Sequence, residues 1–276
     1  MDLLKHRKNL LAIFNSALQA VNGRTGVREY LLAHPVVRQS IYLVATGKAA
    51  SAMAEGAFEA MSAQIARALI ITKVGHGDAH LFQSRPGAAR DLLMESAHPM
   101  PDQRSLDAGA VLLDFIADSP PDAHFLFLIS GGTSSLVEVL PDGITLTALA
   151  EVNQWLLGSG LDIQRVNCIR KAMSCIKGGR LALSLKGRTA DVLLMSDVPG
   201  DHLADIGSGL LVADDARAPH TSNIDMPHKI RALIEKTPAA PPAHHPCFAR
   251  IKTHIIASNE VACHAAESHA KELGYT

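Results

Sequence analysis

Aromatic residues are scarce in this chain, with Phe, Tyr and Trp together making up 4% of 276 residues and Trp occurring once. A core must therefore be built from small aliphatics, which the 47% hydrophobic content supplies. Net charge is nearly absent, −1 at neutral pH, so the whole molecule has no field that would draw it to nucleic acid or to an anionic membrane. The four cysteines (Cys168, Cys175, Cys247, Cys263) form no CxxC pair, and neither they nor the 14 histidines recur at zinc-ligand spacing. That favours reduced thiols over a disulfide or zinc frame. The apolar stretch over residues 10–14 is too short and too charged at its flanks for a signal peptide or a membrane span, and no other segment reaches spanning length. A cytoplasmic globular protein without nucleic-acid or membrane partners is expected. A chain of this length buries about three quarters of its unfolded surface, in one large domain or two small ones.

Three motifs are also missing. There is no GxxxxGK[ST], no GxGxxG after any expected strand and no GxSxG, which disfavours a P-loop, a dinucleotide fingerprint and a hydrolase nucleophile elbow. What is present is an alternation. Apolar runs at 41–46, 68–72, 125–130, 192–196 and 254–257 lie among segments of helical period near 48–63, 102–118, 145–157, 162–175, 178–186, 222–236 and 259–273. This is the pattern of parallel strands joined by crossover helices, an α/β sheet with helices on both faces. Asp102 and Asn259 are the expected N-caps, and residues 2–21 form an amphipathic opening helix that ends near Gly23. The proline-rich stretch 219–246 reads in its second half, 238–246, as a surface connection. The sequence ends at Tyr275-Thr276, where a further strand is expected, so the chain reads as cut short.

In open α/β sheets ligands bind beyond the carboxyl ends of the strands. Three such ends combine glycine with reactive polar groups: Gly47-Lys48, the loop Ser130-Gly131-Gly132-Thr133-Ser134-Ser135, and Asp197-Val198-Pro199-Gly200-Asp201. The glycine-serine loop can curl amides and hydroxyls around an anion, or it can be an ordinary capped turn. Lys48 sits at a helix start, where the dipole disfavours a cation, so a carboxylate elsewhere in the fold or an anionic ligand must offset it. Residues 164–190 hold seven Lys and Arg and no acid; with Arg170 and Lys177 on one helical face and Gly178-Gly179 opening a helix, they suit polyphosphate or form a solvated basic face. Asp197 and Asp201 could hold Mg²⁺, or one could accept a hydroxyl proton, while Asp201 could equally cap the turn. The His98-Pro99-Met100-Pro101-Asp102 segment reads as a rigid connection in which His98 is a weak candidate.

Together with Thr46-Gly47-Lys48-Ala49-Ala50, Thr72-Lys73-Val74-Gly75-His76, Leu156-Leu157-Gly158-Ser159-Gly160, Asn167 through Lys171, Ile176-Lys177-Gly178-Gly179-Arg180-Leu181-Ala182 and Ser208-Gly209, these segments occur in a series that resembles the bacterial-type, MOFRL-containing glycerate 2-kinase family. The resemblance spans residues 1–276 against that family's larger N-terminal domain. It implies a Rossmann-like three-layer α/β/α sandwich with a mostly parallel sheet, and ATP- and Mg²⁺-dependent phosphorylation of D-glycerate at the 2-hydroxyl to 2-phosphoglycerate. Lys48 then stabilises the transferring phosphoryl, residues 131–135 cradle an anion, and Asp197 serves the metal or the hydroxyl. Substrate or phosphate contacts fall to Gly47, Ser130, Gly131, Gly132, Thr133, Ser134, Ser135, Arg170, Lys177, Gly178 and Gly179, and metal contacts to Asp197 and Asp201. The family's second, MOFRL domain is expected to be absent from this chain, and a homodimer is left open. Leu210 stands where the family usually has Pro after Ser-Gly. The alternatives are a hydroxypyruvate reductase, a label some family members carry, and a non-catalytic domain that only binds nucleotide or anions.

Overall fold

The computed structural model describes residues 3–36, 40–82, 88–214 and 220–275. Six strands, β1 (Ile41–Thr46), β2 (Ile65–Lys73), β3 (Leu92–Ser96), β4 (His124–Ile129), β5 (Thr189–Met195) and β6 (Ile251–Ala257), form one sheet in the order β3-β2-β1-β4-β5-β6. All five pairings are parallel. The central strands β1 and β4 are buried along their whole length, which is why they read as continuous apolar runs and not as alternation. The register aligns their ends, with Ile41 opposite His124 and Thr46 opposite Ile129.

Alternate residues serve two cores. Ile41, Leu43, Ala45, Leu126, Leu128 and Leu193 pack against α2 (Gly23–Ala33) and α3 (Ala50–Met61). Tyr42, Val44, Phe125, Phe127, Ile129 and Val192 pack against α4 (Gln103–Ala117), the short α5 (Thr133–Leu136) and α8 (Leu181–Ser184). The few aromatics concentrate there, with Tyr42, Phe115, Phe125 and Phe127 within ring-contact distance of one another in a chain. A third cluster joins α6 (Leu146–Gly158), α7 (Ile163–Ala172) and α9 (His228–Ile234) through Leu149, Val152, Ile169, Met173, Ile224 and Ile230. The result is the three-layer α/β/α arrangement expected from the sequence.

The differences have local causes. β3 was not expected, because Leu92-Leu93-Met94-Glu95-Ser96 is a short, partly exposed edge strand that carries a charge. α2 was not expected either; Asn22 caps it by accepting from the Thr25 amide, so Gly23 begins a helix where it was read as ending one. Asp102 does cap α4, accepting from the Arg104 amide at 2.9 Å. At α10 (Asn259–Glu272) the cap is Ser258 and not Asn259. The helix expected over 178–186 shrinks to α8 because Gly178 and Gly179 take positive φ, +60° and +81°. In the 238–246 connection, the Pro238 carbonyl is tied down by Arg180 Nε at 2.8 Å; Pro219 lies outside the described residues. α1 (Leu3–Ala20) forms but buries no residue: it packs along α10 and leaves Leu3, Leu10, Leu11, Phe14 and Leu18 more than half exposed. Among the described residues no helix is long and apolar enough to cross a membrane.

Two helical glycines test the packing with opposite signs. A methyl group at Gly56 on α3 would overlap the Arg24 carbonyl of α2, whereas one at Gly158 on α6 would meet open space. Gly56→Ala is expected to lose about 1–3 kcal/mol of stability by overpacking, and Gly158→Ala to gain about 0.4–1 kcal/mol by restricting the unfolded chain. Urea midpoints at constant slope would measure both.

Candidate active site

The chain leaves β1 toward β2 and β3 on one side of the sheet and returns to β4, β5 and β6 on the other. The crevice between the carboxyl ends of β1 and β4 is therefore the topological switch point. Gly47 follows β1 with φ +123°, and a side chain there would collide with Ser130, so only glycine allows the two loops to meet. They are then stitched together. Ser130 N donates to Thr46 O at 3.0 Å, Lys48 N to Gly131 O at 2.9 Å, and Ala49 N to Ser130 Oγ at 3.1 Å. The Thr133 hydroxyl donates toward both Thr46 O and Ser130 O, at 3.0 and 2.8 Å, and Ser135 Oγ donates to Gly132 O at 3.1 Å. Ser130, Thr133 and Ser135 were expected to offer hydroxyls to an anion, but these hydroxyls hold the loop itself. Ser134 Oγ shares a 2.7 Å hydrogen bond with Ser208 Oγ. The amides of Gly131 and Gly132 donate to no protein group among the described residues.

Three side chains converge on those two glycines. A Cβ on Gly131 would run into the Asp197 carboxylate, and one on Gly132 (φ +93°) would lie 3.1 Å from His98 Cδ2 and 3.2 Å from Lys48 Cγ. Lys48 is exposed and forms no ion pair among the described residues, so the carboxylate that could have offset its position before α3 is not supplied. Partial burial pushes the His98 imidazole below its ordinary pKa, with the Lys48 and Lys73 charges adding to the effect and Asp197 opposing it. The place of His98 beside Gly132 follows from β3, which the sequence did not reveal.

Beyond this convergence lies a cavity of about 250 Å³ between the residue 98–101 segment, α6 and α7. Much of the basic run that looked like an open positive field is neutralised inside the protein. Lys177 is buried in an ion pair with Glu138. Lys171, also buried, pairs with Asp214 at 2.6 Å and Asp205 at 3.3 Å. Arg180 donates to the carbonyls of Lys171, Lys177 and Pro238. The Gly178 and Gly179 amides, expected to be free for an anion, donate to Ser208 O and Gly209 O at 3.0 and 2.6 Å. Arg170 differs: its Nε donates to the buried Asn153 Oδ1 at 3.3 Å, and its terminal nitrogens have no partner among the described residues.

Asp197 and Asp205 line the cavity, while Asp201 does not. Among the described residues no group of three or more His, Cys, Asp or Glu could cage a metal ion. Gly207, Ser208 and Gly209 all have φ near +60°, and Ser208, lacking glycine's freedom, carries backbone strain at the cavity wall. Glu138, Asn153 and Asp205 had no signal in the sequence, since their partners are distant along the chain. A larger cavity, about 700 Å³, opens at the amino ends of β4 and β5, where His124 bridges Thr189 and Asp191. That is the end of a parallel sheet away from the loops that bind ligands.

The Lys177–Glu138 pair gives a sharp test. Lys177→Met would strand a buried carboxylate and is expected to cost about 3–5 kcal/mol, whereas the double change with Glu138→Leu should recover most of that loss. Chemical denaturation of both variants would show it, and equal destabilisation of single and double variants would refute it.

A family model described as a domain of unknown function, DUF4147, matches residues 9–237. D-glycerate 2-kinase of Thermotoga maritima is 29% identical over 98% of this chain, and an Agrobacterium vitis protein with a provisional hydroxypyruvate reductase name is 32% identical over 97%. The chain spans 62% and 60% of the length of these two curated relatives. The crystal structure of glycerate kinase from Thermotoga maritima superimposes with a TM-score of 0.82 at 29% identity, covering 99% of this chain and 64% of that one. With most of its length under one family model, the chain belongs to the DUF4147 family and, by these relatives, to the glycerate kinase family that its motif series resembles.

Proposed function

We propose that this chain supplies the phosphoryl-transfer wall of a cytoplasmic glycerate 2-kinase, which moves the γ-phosphoryl group of ATP to the 2-hydroxyl of D-glycerate and releases ADP and 2-phosphoglycerate. The observation that carries this reading is the convergence of Lys48, His98 and Asp197, which form no ion pair among the described residues, on the two glycines of the 131–132 loop. Phosphoryl transfer demands little covalent chemistry from a protein; it needs positioning and positive charge where negative charge spreads.

The Gly131 and Gly132 amides and the Lys48 ammonium face the transferring group and stabilise its oxygens. The substrate hydroxyl oxygen bonds to the γ-phosphorus as the bond to the β,γ-bridging oxygen breaks, and its proton passes to His98 Nε2. The lowered pKa keeps that imidazole unprotonated and able to accept near neutral pH. Asp197 suits Mg²⁺, because a cation delivered with nucleotide needs only one or two protein carboxylates beside phosphate oxygens and water. Bound there, the ion would neutralise charge on the phosphates; Asp201, off the cavity wall, is not needed for it. The remaining length of the relatives is taken to supply the facing wall of the cleft. The exposed apolar face of α1 favours a second reading, in which this chain binds nucleotide or anions without turning over.

A coupled assay for ATP-dependent formation of 2-phosphoglycerate tests the proposal. Lys48→Ala is expected to reduce kcat by roughly 10²–10³-fold, the scale for losing one electrostatic stabiliser. Nucleotide binding without turnover in the unaltered chain would favour the second reading, and NADH oxidation with hydroxypyruvate would favour a reductase. In the active enzyme kcat/KM should fall as pH drops through the His98 pKa, because protonation removes the acceptor. This acid limb should lie below the ordinary histidine range and disappear in His98→Gln, whose rate should be about 10²–10⁴-fold lower. An unchanged limb in that variant would remove His98 from the mechanism.

A further inference from the structure

We propose that the 250 Å³ cavity is the acceptor subsite, and that Arg170, held by Asn153, binds the carboxylate of a small 2-hydroxy acid and thereby selects it over neutral polyols. This rests on the kinase reading and gives that site a direction: phosphates at the Lys48 end, carboxylate at the α7 end.

Elimination carries the argument. Lys171, Lys177, Arg170 and Arg180 are the cations between 170 and 180, and three of them are consumed by the protein. Arg170 keeps both terminal nitrogens open toward the cavity among the described residues. A planar guanidinium with two free parallel N–H groups matches a carboxylate bidentately. Its orientation is set in advance, since Asn153 is buried at 5% exposure on α6 and its amide oxygen fixes Nε.

The surroundings permit an incoming anion. Three acids also line the cavity: Lys177 neutralises Glu138, Lys171 is shared between Asp205 and Asp214, and Asp197 lies at the glycine-loop end assigned to the phosphates. The Ser134–Ser208 hydroxyl pair adds a donor and acceptor for a second hydroxyl on the ligand. Size is compatible with this, because a cavity of about 250 Å³ has room for a three-carbon acid. Arg170, His98 and Gly132 line the same cavity, so a carboxylate held on Arg170 keeps the 2-hydroxyl, one carbon away, inside the cavity whose wall also carries His98 and the glycine loop.

The test is direct binding to the full chain, by titration calorimetry, of D-glycerate, glycerol and ATP in turn, with Arg170→Met and the charge-conserving Arg170→Lys beside the unaltered protein. Loss of a charged hydrogen-bond partner should weaken D-glycerate binding roughly 10- to 100-fold in Arg170→Met. ATP binding should change by less than about twofold, and Arg170→Lys should lie between. Glycerol should bind the unaltered protein and Arg170→Met equally weakly. Unchanged D-glycerate affinity, or ATP weakened as much as D-glycerate, would overturn the inference while leaving the kinase reading in place, whereas a chain that binds ATP and no D-glycerate would overturn the inference and favour the reading in which it binds nucleotide without turning over. A chain that binds neither would sink the kinase reading, and this inference with it. Should Arg170→Met fail to fold, equal D-glycerate affinity in Arg170→Lys and the unaltered chain would overturn the inference, and weaker binding would sustain it.

Discussion

The contact between Gly47 and Ser130 is the constraint on which the site depends. Parallel pairing brings the ends of β1 and β4 level, with Thr46 opposite Ile129, and any side chain at position 47 would push the two following loops apart. Because none is present, the Thr46 carbonyl can take hydrogen bonds from the Ser130 amide and the Thr133 hydroxyl, and Lys48 N can reach Gly131 O. Backbone donors and acceptors that would otherwise be stranded at two buried strand ends satisfy each other. Their mutual satisfaction aims the remaining amides of Gly131 and Gly132 outward.

Charge is organised by the same economy. The chain is almost neutral overall yet concentrates cations at 164–190, and burying them bare would be prohibitive. Glu138 from the end of the glycine loop and Asp205 and Asp214 from the segment after β5 answer them. These pairs join three remote stretches of chain around one cavity. Pairing of this kind contributes more to fixing geometry than to net stability, and what it fixes is the wall that bears Arg170. Among the described residues Arg170, on the cavity wall, and Lys48, beside the wall residue Gly132, have no acidic partner, an arrangement suited to a ligand with negative charge at both ends.

Much of this was legible in the sequence where a local rule sufficed. Continuous apolar runs gave the central strands, because a strand buried on both faces has no polar alternation to show. Gly47-Lys48 and the 130–135 loop stood out because positive φ and backbone approach require glycine. What could not be read depended on partners far along the chain. β3 owes its place to pairing with β2, from Leu69 opposite Leu92 to Lys73 opposite Ser96, and His98 inherits its position from β3. The hydroxyls of Ser130, Thr133 and Ser135 looked available because the carbonyls they serve appear only once the strands are side by side. The basic run looked open for the same reason, its acids lying 34 to 43 residues away at the Lys171 pairs and 39 at Lys177.

The scarcity of aromatics bears on how the two ends of the cavity are held. The large rings crowd onto the face of the sheet behind β4, where Tyr42, Phe115, Phe125 and Phe127 make a stiff support for the phosphate-facing loop. The α6, α7 and α9 lobe has its own core, separate from that face, built mainly of aliphatics with Trp155 packed against them and Ile169 fully buried beside Arg170. The glycine loop and the guanidinium are thus anchored in different cores, which face each other across the cavity and are joined by links that include the Glu138–Lys177 and Asp205–Lys171 pairs. Recognition of the acceptor can then be altered in one core without disturbing the phosphate geometry set by the other, since substitutions that share no partner act independently.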